Sequence, residues 1–354
     1  MLKMLLLATA AAVVAAPACA EEIRMNDIQT VGTHNSYKGP TPPETLARIA
    51  KINPADAISK DYQHRPIPEQ LDAGARAFEF DANYDPKGDH YVSVSNDPDM
   101  AKPGFKIMHV AGIDGATSCL LLTQCMTQLK TWSDAHPDHA PILIMFNMKA
   151  GQNAAVGGVD GIPFTEAAYD ALDAEIRSVL PKSKIITPDE VQGKYPTLRE
   201  AVMANNWPTL KKARGRFLFA MDEKADKIAM YRGSRKNLEG RVFFVNAEES
   251  SPVAGYMTIN DPIVDAEKIK KMVAAGFLVR TRGDAGTHQA RSNDTTRQKA
   301  AFASGAQYIL TDYIWPDTRF AGGYTLRLPN GAAAVCNPLH KPASCSGILE
   351  KAQK

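Results

Sequence analysis

Short apolar runs recur along the chain, and most lead into a loop and then a stretch with helical periodicity. The runs are Ile28–Val31, Ala75–Asp81, Phe105–Val110, Ile142–Asn147, Phe217–Met221, Val242–Asn246, Phe277–Arg282 and Tyr308–Asp312. Runs this short, apolar on both faces and bounded by polar turns, read as buried strands. Helical patterns lie between them at Phe164–Leu180, Leu198–Lys212, Asp265–Ala275 and Asn293–Ser304. Thr165 before Glu166 and Asp265 before Glu267 supply helix starts, and Gly276 and Gly305 sit where helices should stop. Eight strands alternating with helices predict an α/β fold, a TIM-type (β/α)8 barrel. A doubly wound open sheet is the competitor, but no G-x-G-x-x-G follows the first strand. The glycine-rich loop from Gly151 to Gly161 lacks the Lys-Ser/Thr ending of a phosphate-cradling loop and reads as a rim loop. The tail from Arg319 onward reads as irregular.

The start of the chain changes the picture of where the protein works. MLKMLLLATAAAVVAAPACA has a basic start, a short apolar core and an Ala18-Cys19-Ala20 ending, which predicts a secretory signal peptide over residues 1–20. Residues 21–354 are then expected to form one barrel domain, exported to the periplasm or the medium. Beyond the leader the charges nearly balance, as they do for the whole chain at a formal +2. That balance argues against nucleic acid as the main partner. No strongly basic amphipathic helix appears, so membrane contact is expected to be peripheral at most. No protein partner is predicted. Cys119, Cys125, Cys336 and Cys345 remain after the leader, clustered in two pairs. An oxidising compartment makes Cys119–Cys125 and Cys336–Cys345 the natural bridges, although three connectivities are open.

Candidate chemistry gathers where the strands end. The first strand delivers His34 and Asn35, the second Glu79 and Asp81 two apart on one face, and the third His109. The fourth ends on Asn147 and Lys149, and the seventh on Arg280 and Arg282 with Asp284 just beyond. The C-terminal ends of barrel strands form one mouth, so these groups should meet. Glu79 and Asp81 offer anionic oxygens and Asn35 and Asn147 neutral ones, a set that suits Ca2+, with Mg2+ as the alternative. Two histidines on different strands can divide general-base and general-acid work, and Lys149, Arg280 and Arg282 can neutralise a phosphate. Proton shuttles, a hard cation and basic groups together describe phosphodiester cleavage. Arg291 either reaches that phosphate or orders its loop, and the same choice holds for His288. His64 reads as a surface residue, and His136 and His139 as part of a solvated connection rather than a metal site.

"THNSY", "FEFD", "MHV" and above all Arg280 to Tyr313, "RTRGDAGTHQARSNDTTRQKAAFASGAQYILTDY", resemble the calcium-dependent phosphatidylinositol-specific phospholipase C-like phosphodiesterases. The resemblance spans nearly all of the chain beyond the leader and implies a TIM-type barrel. It implies that His34 and His109 are the catalytic histidines and that Asn35, Glu79 and Asp81 are calcium ligands. The fourth strand departs from the pattern, with Asn147 where such enzymes commonly place a glutamate. The implied substrate is an inositol phospholipid or a soluble phosphodiester. Glycerophosphodiester or sphingolipid cleavage on the same barrel, or a non-catalytic ligand-binding barrel, are the competing readings.

Overall fold

The computed structural model describes residues 22–353, and the predicted leader lies outside them. Twelve strands follow in chain order: β1 (Ile28–Thr33), β2 (Ala75–Asn83), β3 (Lys106–Ile107), β4 (Ile142–Lys149), β5 (Ile185–Ile186), β6 (Phe217–Met221), β7 (Phe243–Asn246), β8 (Ala254–Thr258), β9 (Leu278–Arg282), β10 (Tyr308–Thr311), β11 (Ala332–Cys336) and β12 (Ile348–Lys351). Eight of them pair in parallel around a closed ring, β1-β2-β4-β6-β7-β8-β9-β10 and back to β1. This is the expected TIM-type barrel. Nearly every residue of these strands is buried, which is why they appear in the sequence as continuous apolar runs rather than alternating ones. Gly32 shows how tightly β1 meets β2: a Cβ there would lie 2.1 Å from the carbonyl oxygen of Ala77.

Two strand assignments need correction. Phe105–Val110 does not supply a barrel stave; only Lys106–Ile107 is extended, and it pairs antiparallel with the end of β2. The missing stave is β8, which begins only seven residues after β7 ends. Seven residues are too few for a connecting helix, and β8 starts at the height where β7 finishes, with Ala254 opposite Val245. The alternation of strand and helix is broken there, so the pattern hid it. Leu198–Lys212 is likewise two short helices, Leu198–Met203 and Leu210–Ala213.

The tail is also more ordered than its composition suggests. β11 runs antiparallel along the start of β1, and β12 along β11. Glu350 of β12 pairs with the buried Arg76 and accepts the amide of Ala140 at 2.6 Å, tying the tail to the base of the barrel. The bridges Cys119–Cys125 and Cys336–Cys345 are both present. Among the described residues no helix is long and apolar enough to cross a membrane.

Candidate active site

His34 leaves the C-terminal end of β1 and is followed by Asn35, whose φ of 47° is a left-handed turn that asparagine tolerates. The turn folds the chain back under the mouth, and Lys38 N–H bonds to Asn35 O at 2.8 Å. The His34 Nδ1 lies 2.8 Å from Asp312 Oδ1, just past β10, and 3.0 Å from the hydroxyl of Tyr62. Asp312 is itself held by Arg282 at 2.8 Å and by Asp284, which accepts the Asp312 amide at 2.9 Å. Asp284 also accepts the hydroxyl of Thr311, so it stands behind Asp312. Burial pushes the Asp284 carboxyl up to about 6, with the charge of Asp312 adding to it. Burial, helped by Arg282 and Arg280, holds the His34 imidazole well below the ordinary histidine value, so it is neutral at pH 7. With Asp312 accepting from Nδ1, the unprotonated nitrogen is Nε2.

His109 is positioned by different means. β3 lies against the end of β2, and Asn83 Nδ2 grips the carbonyl of Met108 at 2.7 Å. His109 therefore reaches the mouth from a loop rather than from the end of a barrel strand. A tight turn follows, in which Val110 and Asp114 exchange backbone bonds of 3.1 and 2.8 Å, and it returns Asp114 to His109. Asp114 Oδ2 lies 2.8 Å from His109 Nδ1, while its Oδ1 accepts from Lys38 and from Thr41, both at 2.7 Å. Burial raises the Asp114 carboxyl, but the bonds and charges of His109 and Lys38 outweigh it and hold the group well below the carboxylate range.

Most of the other expected site residues pair with one another beside His34. Glu79 accepts Asn147 Nδ2 at 3.0 Å, pairs with Arg280 and lies 3.5 Å from His34 Nε2. Asp81 Oδ2 takes Lys149 at 2.9 Å and the hydroxyl of Tyr37 at 2.8 Å. Its other oxygen, Oδ1, is buried without any hydrogen-bond partner. Asn35 gives its amide nitrogen to Tyr62 at 2.9 Å, which leaves its oxygen for another partner. Each basic group is therefore matched to a carboxylate here, and the net charge of the cluster is close to balanced. Burial lowers the Lys149 ammonium, but Asp81, Glu79 and Glu223 overcome it and raise the group. Arg291 lies outside the cluster, bonded to Asp61 at 2.5 Å and to Thr287 at 2.9 Å, with its guanidinium over Phe320.

Several site residues went unread in the sequence. Asp312 closes the last predicted strand, a signal as good as the one that singled out Glu79. Asp114 lies only five residues beyond His109. Tyr62 and Lys38 carried no signal of their own. His64 is half-buried and engaged rather than a free surface residue: its Nε2 donates to the His34 carbonyl at 2.8 Å, and burial lowers its imidazole to about 4. His139 lies in the expected connection between Ala135 and Ile142 but is buried there rather than solvated, bonded to Ser133 at 2.8 Å. Among the described residues no group of three or more His, Cys, Asp and Glu side chains is arranged to hold a metal; the oxygen cluster at the mouth pairs two carboxylates with amides.

A TIM-type barrel whose mouth joins two histidine–aspartate pairs to carboxylates and basic groups is the frame of a phosphodiester-cleaving enzyme. Residues 23–338 match the family model of the Ca2+-dependent phosphoinositide phospholipases C, and the chain belongs to that family. It is a phosphoric diester hydrolase of the phospholipase C type. No curated protein sequence matches it. Similar solved structures include the calcium-dependent phosphoinositol-specific phospholipase C of a Gram-negative Pseudomonas species, 17% identical with a TM-score of 0.56, covering 89% of this chain and 96% of that one. Another is the Ca2+-dependent phosphatidylinositol-specific phospholipase C from Streptomyces antibioticus, 18% identical with a TM-score of 0.52, covering 82% and 95%. At these identities the likeness speaks for the fold.

Proposed function

We propose that the protein is an exported, calcium-dependent phosphodiesterase that cleaves an inositol-type phosphodiester with His34 as general base and His109 as general acid. The observation that carries this reading is the pair of imidazoles, each engaging a buried aspartate through Nδ1 and so leaving Nε2 as the nitrogen that carboxylate does not hold. His34 is neutral and can take the proton of an attacking hydroxyl as its oxygen bonds to phosphorus. His109, on a separate loop, gives a proton to the departing oxygen as the second P–O bond breaks. Placing the two roles on different elements lets them act on opposite sides of one phosphorus.

The residues present fit a hard cation. Asp81 Oδ1 is a buried carboxylate oxygen in want of a partner, and an oxygen-rich set of Asn35, Glu79, Asp81 and Asn147 is the donor chemistry that calcium prefers. When bound, a divalent cation there would offset phosphate charge and lower the proton affinity of a nearby hydroxyl. Lys149 and Arg280 pair with Asp81 and Glu79, and the two cations would be at hand to offset the charge of a phosphate bound beside those carboxylates. Arg282 holds Asp312 in place. Export is supported by the leader pattern and by two disulfides, which persist in oxidising compartments.

The test is a panel of soluble inositol, glycerol and choline phosphodiesters, followed by phosphorus NMR with calcium present. Turnover confined to the inositol ester, falling about 10²–10⁴-fold in His34→Ala and in His109→Ala, is the expected result. An activated aryl leaving group needs little protonation and should rescue His109→Ala far better than His34→Ala. Preferred turnover of the glycerol or choline ester, or equal rescue of both variants, would overturn the reading.

A further inference from the structure

Lys38 lies in the first polar turn after β1, three residues beyond Asn35. Its side chain is 1% exposed, which is rare for a lysine, and it is not at the reacting centre. The ammonium donates to Asp114 Oδ1 at 2.7 Å and to Thr41 at 2.8 Å. It also sits 5.3 Å from the centre of the Tyr62 ring, and the Tyr62 hydroxyl is 3.0 Å from His34 Nδ1. One buried positive charge thus touches the partner of one imidazole and the neighbour of the other.

We propose that Lys38 is a positioning residue for His109: its charge holds Asp114 ionised in the interior and moderates the negative field that Asp114 exerts on the imidazole. The inference rests on His109 being the general acid. A carboxylate buried at 0% exposure would otherwise favour its neutral form, and a neutral acid is a poor acceptor for Nδ1–H. A lone buried carboxylate that did stay ionised would raise the proton affinity of His109 and make it a weaker acid. Lys38 avoids both outcomes. Asp114, on the same loop, bonds to His109, and Lys38 from the turn after β1 bonds to Asp114; burial lowers the ammonium, with Lys60 adding to it, while Asp114 and Asp312 oppose the fall. β2 meets this loop through the Asp81 carbonyl, which accepts the Met108 amide at 3.3 Å, and through Asn83 Nδ2, which bonds to the Met108 carbonyl at 2.7 Å.

The test is the alkaline limb of the pH profile of kcat/KM, measured with an alkyl and an aryl ester of the same head group. His109→Ala should first abolish that limb. A limb that survives there overturns the acid role itself and this inference with it. In Lys38→Met the limb should move by roughly one pH unit, up where Asp114 stays ionised and down where it takes up a proton, with a loss of about tenfold or more on the alkyl ester and little on the aryl ester. Lys38→Arg, which keeps the charge, should leave the limb in place. An unmoved limb in Lys38→Met, or equal losses on both esters, would overturn the role of Lys38 alone. If Lys38→Met does not fold, Lys38→Met/Asp114→Asn removes both charges of the buried pair and replaces it. Its limb should lie above that of Asp114→Asn, and coincident limbs would overturn the proposal.

Discussion

The side chains of His34 and His109 are 23% and 22% exposed, and each gives Nδ1 to an aspartate at 2.8 Å. The partner of His34 comes from the opposite end of the chain, brought alongside by the parallel pairing of β1 with β10. The partner of His109 comes from the next turn of its own loop. Arg282 balances the first aspartate and Lys38 the second. The first imidazole is crowded by burial and by two guanidiniums that disfavour its proton. The second sits on a loop with one ammonium beyond its carboxylate. One motif is thus built twice with different electrostatic surroundings, as the proposed division between proton acceptor and proton donor would require.

The largest effect should come from what the two pairs share. Removal of divalent cations should abolish turnover of alkyl and aryl esters alike, and added calcium should restore both, with the far-ultraviolet spectrum unchanged throughout. Asp81→Asn should raise the calcium concentration needed for half activity. Full turnover by protein shown to be metal-free would remove the shared element.

Replacing the aspartates one at a time should separate the pairs. Asp312→Asn allows the amide to favour the wrong imidazole tautomer, and the rate should fall about 10²–10⁴-fold on alkyl and aryl esters together. Asp114→Asn should spare the aryl ester. Their stabilities should diverge in the other direction. Asp114→Asn leaves Lys38 buried with no anion, which costs about 3–5 kcal/mol, whereas Arg282 keeps Asp284 at 3.7 Å when Asp312 is lost. Urea unfolding of the two variants measures the difference, and equal midpoints would show that the balancing cations are interchangeable.

How far each pair could be read from sequence follows from the same contrast. The strand ends that point into the mouth were legible because side-chain parity on a strand is rigid: Glu79 with Asp81 and Asn147 with Lys149 meet as the alternation requires. Asp312 was within sight, as the last residue of a recognised strand. The His109 loop was misread because Phe105–Val110 has strand-like composition, yet only two of its residues find a strand to pair with. β8 was missed for the converse reason, since Gly255 and a seven-residue connection conceal a strand that tertiary pairing enforces. Lys38 illustrates a limit of another kind. Nothing local distinguishes a lysine in a polar turn from a solvated one until the chain closes over it.

A third imidazole shows what the carboxylates contribute. His139, at the base of the barrel, accepts from Ser133 and donates to the carbonyl of Ala140, with no aspartate at all. Burial lowers it to about 4, so the folded state holds it neutral while an unfolded chain takes up the proton near pH 6.5. Its contribution is full above pH 6.5 and is lost as the pH falls toward 4, amounting to about 2–3 kcal/mol after allowance for relaxation. Urea midpoints at pH 7 and pH 4.5 should therefore differ more for the wild type than for His139→Gln. Equal differences would assign acid sensitivity elsewhere.

The smallest effect is expected at Arg291, and it tests whether influence on the first pair passes through side chains rather than through charge at a distance. Arg291 holds Asp61, the residue before Tyr62, and Arg319 holds the same carboxylate at 2.6 Å from another side. Tyr62 touches His34 and reaches His109 only through Lys38. Arg291 is 34% exposed, so its ion pair is screened and worth no more than about 1 kcal/mol. With Arg319 still in place, Asp61 and Tyr62 should keep their positions. Arg291→Ala should accordingly change kcat/KM by no more than about twofold, as would be expected for a screened surface pair, and that change should be the same for alkyl and aryl esters. Arg282→Ala offers the matched control from inside the mouth: it strips Asp312 of its balancing charge and should cost activity on the scale of Asp312→Asn. A loss at Arg291 approaching that of Arg282, above all one expressed in KM, would mean that the guanidinium reaches the phosphate during turnover and that its bond to Asp61 is released when substrate arrives.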